Sequence, residues 1–183
     1  MIVMMGGPGT GKGTFSRMLH NIHPEYTHIE TGAMLRAEPE GSAIRMAIAS
    51  GNLLPDKMVC DLIAATITQT PGNIILDGFP RTIGQAKWLI KNYASKYNIH
   101  IIYLNVSDEI MIKRINKRHT EGSTRKDDSN IDIVRHRIEA FHETTMPAIQ
   151  WLARVGDITF SDVDSNEEEP ANFNRITSTL NWK

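Results

Sequence analysis

Short strand-like runs, apolar for the most part, punctuate the chain at 2–5, 27–30, 73–76, 100–106 and 158–163, the second being the weakest. A strand with one wet face alternates apolar and polar side chains. Runs without strict alternation instead point to strands covered on both faces, as in parallel sheets. Helices are predicted between the runs, over 12–22, 56–68, 83–96, 108–118 and 129–153. In the last, Ile131, Val134, Ile138, Phe141, Thr145, Ala148 and Leu152 recur at steps of three and four, which places them on one stripe. Strands alternating with helices predict an α/β fold, a right-handed, doubly wound sheet of five parallel strands flanked by helices. Ligands of such sheets sit beyond the carboxyl ends of the strands. The acidic run Glu167-Glu168-Glu169 reads as a solvated turn before a terminal helix.

Composition narrows the picture. A chain of 183 residues suits a single domain and can bury roughly 70% of its unfolded surface. Basic side chains number 20 and acidic ones 21, a formal charge of -1. No bulk field therefore draws the chain to nucleic acid or an anionic membrane, and neither is expected as a partner. Any phosphate site must come from locally placed basic groups. The single cysteine, Cys60, leaves no internal disulfide and no thiolate zinc site, so no zinc is expected. The apolar start is too short for a signal peptide and lacks its basic flank. No stretch approaches the ~20 apolar residues of a membrane span. The expectation is a soluble, cytoplasmic monomer.

The strongest chemical signal is Gly6-Gly7-Pro8-Gly9-Thr10-Gly11-Lys12-Gly13-Thr14, directly after the first strand and before a helix. A polyphosphate is wrapped by backbone N–H groups only where side chains do not block the approach. The following helix presents its unpaired amides and positive dipole end to the anion. A lysine in a first helical turn is unfavourable unless an anion compensates it, so Lys12 itself argues for one. Gly13 stands where the general phosphate-loop pattern has the Ser or Thr that ligates magnesium.

This Gly-Lys-Gly-Thr form resembles that of adenylate kinases and their nucleoside-monophosphate kinase relatives. Further segments, in order and over nearly the whole chain, carry the same likeness. Thr31-Gly32-Ala33-Met34-Leu35-Arg36 is similar to the family's TGDMLR, and Gly51-Asn52-Leu53-Leu54-Pro55-Asp56 to its G-x-L-V-P-D. Asp77-Gly78-Phe79-Pro80-Arg81-Thr82 with Gln85 is close to DGFPRTxxQ, and Thr124-Arg125-Lys126-Asp127-Asp128 matches its T-R-K-D-D run. Asp128 or Ser129 is the expected cap of the helix that follows.

The resemblance implies a P-loop NTPase fold in one domain, 1–183, with a small helical insertion for the monophosphate at about 31–60. A short lid is implied at about 118–128, with no room for the extended β lid of many bacterial relatives. ATP would be held by Gly7, Gly9, Thr10, Gly11, Lys12, Gly13, Thr14 and Arg118. AMP would be held by Thr31, Arg36, Asn52, Leu53, Leu54, Gly78, Phe79, Pro80, Arg81, Gln85, Arg125 and Arg137. Lys12, Arg81, Arg114, Arg118, Arg125 and Arg137 would surround the transferring phosphoryl group, and the arginine fork suits phosphate oxygens in pairs. Arg135 neighbours Arg137, and only the alignment of the T-R-K-D-D run chooses between them. Backbone groups near 163–166 would meet the adenine of ATP. Mg2+ would arrive with ATP, its waters held by Asp77.

The implied reaction is reversible transfer from ATP to AMP, giving two ADP. The attacking phosphate oxygen is already anionic, so no general base is assigned. Thr31 and Gln85 favour AMP over the acceptors of the UMP/CMP kinases, the nearest alternative. A nucleotide-binding protein without turnover is the alternative from another class. A GTPase is disfavoured because Asn116-Lys117-Arg118-His119 lacks the aspartate of the guanine-reading motif. Ala33 stands in place of the family's Asp and Phe15 in place of its common Gln, while the stretch between Arg36 and Gly51 is shorter than usual.

Overall fold

The computed structural model describes residues 1–121 and 130–180. The apolar runs form β1 (Ile2–Met5), β2 (Tyr26–Glu30), β3 (Asn73–Asp77), β4 (His100–Asn105) and β5 (Thr159–Asp164). All pairings are parallel, in the order β2-β3-β1-β4-β5. The helices are α1 (Lys12–Ile22), α2 (Thr31–Arg36), α3 (Ala43–Ala49), α4 (Asp56–Gln69), α5 (Ile83–Tyr93), α6 (Asp108–Thr120), α7 (Ile131–Ala140), α8 (Met146–Leu152) and α9 (Glu169–Thr179).

Both faces of the central strands β1, β3 and β4 are covered, which is why these read as nearly continuous apolar runs, whereas the edge strands β2 and β5 are more polar and more exposed. Met1, Val3 and Met5 lie with Ile74 and Leu76 on one face, packed with Ile63 of α4, Leu89 of α5 and Leu152 of α8. Ile2 and Met4 lie on the other with Ile75, Ile102 and Leu104, packed with Phe15 and Leu19 of α1 and Ile176 of α9. The register sets Met4 opposite Asp77, and Glu30 opposite Asp77, at the carboxyl ends. Among the described residues no helix is long and apolar enough to cross a membrane.

The helix expected over 129–153 is not one α-helix. After α7 the chain makes a π-helical turn, Phe141–Thr145, before α8. Pro147 lies in the first turn of α8; it has no N–H for the carbonyl four residues back, so the regular ladder cannot run through it. The stripe survives from Val134 to Leu152 as buried side chains, but Ile131 is 45% exposed. The observed cap is Asn130, whose side chain accepts from Asp132 N; Asp128 and Ser129 lie outside the described residues. Helix α5 stops at Tyr93, short of 96, and α6 runs on to Thr120.

Candidate active site

The loop after β1 hands the chain to α1 through Gly11, whose φ of 93° places it in the left-handed region. A Cβ there would lie 2.8 Å from Phe15 Cε2, so the position tolerates only glycine. No side chain caps α1 and no acid occupies its first turn. Its amides and positive dipole end therefore face the cleft uncompensated.

Lys12 folds back over this loop, its Nζ donating to Gly6 O at 2.8 Å and Gly7 O at 2.7 Å. Burial lowers its pKa to about 7; Asp77 opposes the fall, while Arg81, Arg137 and Arg118 add to it. A neutral amine has two N–H groups, and the two carbonyls match them. Gly9, Gly11, Lys12, Gly13 and Thr14 line a cleft of about 670 Å3. Thr10 is buried and its Oγ1 donates to Gly7 O at 2.9 Å, so that hydroxyl serves the loop itself.

Among the described acceptor-side candidates, all but Phe79 line the same cleft. The Phe79 ring is fully buried and meets Trp88 edge-on at 5.9 Å, so it belongs to the core. Thr31 Oγ1 is buried with no hydrogen-bond partner among the described residues, so it does not cap α2. Arg36 Nη2 pairs with Glu30 Oε1 at 2.8 Å, and Arg81 Nε donates to Gly78 O at 2.8 Å.

Gln85 is buried, with Oε1 accepting from Arg81 N at 2.8 Å and Nε2 donating to Asp56 Oδ1 at 2.9 Å. Asp56 also accepts from Thr82 Oγ1 at 2.8 Å. A carboxylate can only accept, so Asp56 fixes which end of the amide is which. One N–H and one lone pair of that amide remain for a ligand. A Cβ on Gly84 would collide with Asp56 Oδ2, which explains the glycine inside α5.

Arg118 and Arg137 line the cleft. Arg135 instead faces solvent and pairs with Asp132 at 3.8 Å, so the geometry selects Arg137 from the two neighbours. Arg114 lines the same cleft, and its Nη2 donates to Ser165 O at 2.9 Å and Glu167 O at 2.7 Å, which ties α6 to the loop after β5. Arg125 lies outside the described residues.

The Asp77 side chain is buried at the end of β3, and a Cβ on Gly13 would lie 3.3 Å from its Oδ2. Glycine at 13 thus leaves a gap between the helix start and a carboxylate. That arrangement fits an oxygen-loving cation that keeps its waters. Three residues escaped sequence reading: Glu30, His28 and Asp56. The signal for Glu30 was its place as the last residue of β2, beside the motif threonine.

The pattern described for adenylate kinases matches residues 4–156 of the chain. The chain belongs to the adenylate kinase family. It is 35% identical to an adenylate kinase of Rhodopirellula baltica over 99% of this chain and 95% of that one. Adenylate kinases of Parvibaculum lavamentivorans (36% identical; 88% and 83% covered) and Phocaeicola vulgatus (37%; 85% and 85%) are similar too. Two departures from the adenylate kinase pattern now have physical readings. Phe15 is a core residue, buried and stacked on Phe173 of α9 with centroids 6.3 Å apart. Ala33 removes a carboxylate, yet Glu30 supplies one whose oxygen lies within 4.8 Å of ligand atoms on Asp77 and His28.

Proposed function

We propose that this nucleoside-monophosphate kinase transfers a phosphoryl group reversibly from ATP to AMP, giving two ADP. Supporting this is one cleft that gathers an uncapped helix start, Lys12 and several arginines, Arg36, Arg81, Arg114, Arg118 and Arg137 among them. ATP lies with its phosphates over residues 7–14, and AMP lies between the insertion at about 31–60 and the start of α5. The amide of Gln85 and the hydroxyl of Thr31 read the acceptor base. Arg125 joins the arginines from a lid at about 118–128, and Arg114 holds the loop that meets the ATP adenine. The protein acts as a cytoplasmic monomer.

Phosphoryl transfer needs in-line placement and neutralisation of spreading charge rather than covalent help. The acceptor oxygen is anionic, so no residue acts as general base. Lys12 leaves the Gly6 and Gly7 carbonyls for the phosphate oxygens, and Arg36 exchanges Glu30 for the AMP phosphate. Magnesium bound with ATP supplies neutralisation of the phosphate charge; Asp77, with Glu30 beside it, holds its waters. The test mixes protein, magnesium, ATP and each monophosphate in turn, with products followed by phosphorus NMR. AMP consumed with two ADP formed is the expected result. Preference for CMP or UMP would move the chain to the sister activity, and absence of any turnover would make it a binding protein.

A further inference from the structure

We propose that His28, Glu30 and Asp77 form a binding site for a transition-metal dication of the zinc class, separate from nucleotide-borne magnesium. His28 and Glu30 are two apart on β2, hence on one face, and Glu30 pairs with Asp77 across the sheet. One ligand atom from each lies within 4.8 Å of the other two, and His28 Nε2 stands 3.7 Å from Asp77 Oδ2. Ligands at about 2.0–2.2 Å from a tetrahedral ion sit roughly 3.3–3.6 Å apart, so small side-chain shifts complete the set.

One unsatisfied atom lies in this space, beside a buried carboxylate. His28 Nε2 is fully buried with no hydrogen-bond partner among the described residues. The Asp77 side chain is only 6% exposed, with His28 as its near neighbour. A buried polar atom without a partner is rare and costly, and an ion between imidazole and carboxylate satisfies it. Glu30 Oε2 and Asp77 Oδ2 also flank the vacant side-chain position of Gly13, at 3.9 and 3.3 Å.

The donor chemistry selects the ion. Imidazole with two carboxylates suits zinc and its neighbours, whereas magnesium keeps to oxygen and water. The ion competes for Glu30 Oε2 with Arg17, at 3.7 Å, whose side chain is 57% exposed. Such a pair is weak. Glu30 Oε1 can stay with Arg36. An ion here takes the Asp77 carboxylate from magnesium waters, so it inhibits turnover in competition with magnesium. That consequence rests on the function proposed above; the binding itself does not.

Calorimetric titration of zinc chloride into the metal-free chain tests the site, with His28→Gln and Glu30→Gln alongside. The expected result is one saturable site in the wild type, weakened more than about 100-fold by His28→Gln, beyond the loss from an outer-shell partner. His28→Gln should also retain magnesium-dependent turnover while zinc inhibition disappears. Should a variant fail to fold, nitrogen-15 spectra of the wild-type chain decide, since zinc must shift His28 Nε2 ahead of the other histidines. No saturable isotherm, identical titrations of wild type and His28→Gln, or an unmoved His28 resonance would overturn the site. Zinc binding without AMP phosphorylation would uphold the site and sink the kinase reading instead.

Discussion

Lys12 and Arg118 carry the sharpest expectations at the scale of single residues. The lowered pKa of about 7 means that in the free protein the Lys12 amine is largely neutral at pH 8. Triphosphate oxygens favour the charged form and raise that pKa, so ATP binding takes up a proton between pH 7 and the ordinary lysine range. Calorimetry at pH 8 in buffers of different ionisation enthalpy should show uptake approaching about one proton per ATP, absent in Lys12→Met and absent below pH 6. Arg118 lines the cleft from the last turn of α6 and is partly exposed. Arg118→Ala should lower kcat on the order of 10³-fold while stability falls by at most about 1 kcal/mol. Both residues were legible because their chemistry is local: a cation in a glycine loop, and basic groups four apart on a helix. Phe15 was not. Its role is set by Phe173, far along the chain, so its sequence neighbourhood suggested a departure in chemistry where the structure has core packing. Phe15→Gln should cost about 3 kcal/mol or more in urea denaturation with kcat little changed.

Among the elements, the contact between α4 and α5 links folding to acceptor binding. Asp56 spends its carboxylate on Thr82, the cap of α5, and on Gln85, one turn in. It thereby joins the start of α4 to α5 and orients the amide proposed to read the base. Asp56→Ala leaves the Thr82 hydroxyl and the Gln85 amide without an acceptor, at about 1–3 kcal/mol for each group left unpaired. The expected signature is a split: KM for AMP up about tenfold, KM for ATP unchanged, and kcat at saturation near wild type. A purely structural contact would lower the melting temperature with no such selectivity for one substrate. The strands and α1 could be read from the sequence because apolar runs and glycine punctuation are local signals. The break between α7 and α8 could not be read from periodicity, since the buried stripe steps by three or four through α-helix and π-turn alike. Pro147 was the available signal, and a proline in a first turn is ordinary unless the residues before it are already helical.

For the whole molecule, the decisive property is that one cleft, proposed above to take both nucleotides, opens at the carboxyl ends of β1, β2 and β3. The cations face it from different elements: Lys12 from α1, Arg36 from α2, Arg81 from the turn before α5, Arg118 from α6 and Arg137 from α7. Their mutual repulsion is held in check by internal partners, Glu30 for Arg36 and backbone carbonyls for Lys12 and Arg81. A ligand that replaces all these partners at once must therefore stabilise more than either nucleotide alone. Diadenosine pentaphosphate joins two adenosines through a chain of phosphates long enough to span both halves. At about 100 times its dissociation constant it should add about 2.7 kcal/mol, raising the melting temperature by roughly 5–10 °C for a chain of this size. ATP or AMP alone at the same concentration should raise it less. Arg36→Ala and Arg118→Ala should each cut the shift, because they sit at opposite halves of one site. Equal shifts from ATP and the bisubstrate compound would mean that the two halves bind independently, and the tail-to-tail arrangement would then have no support.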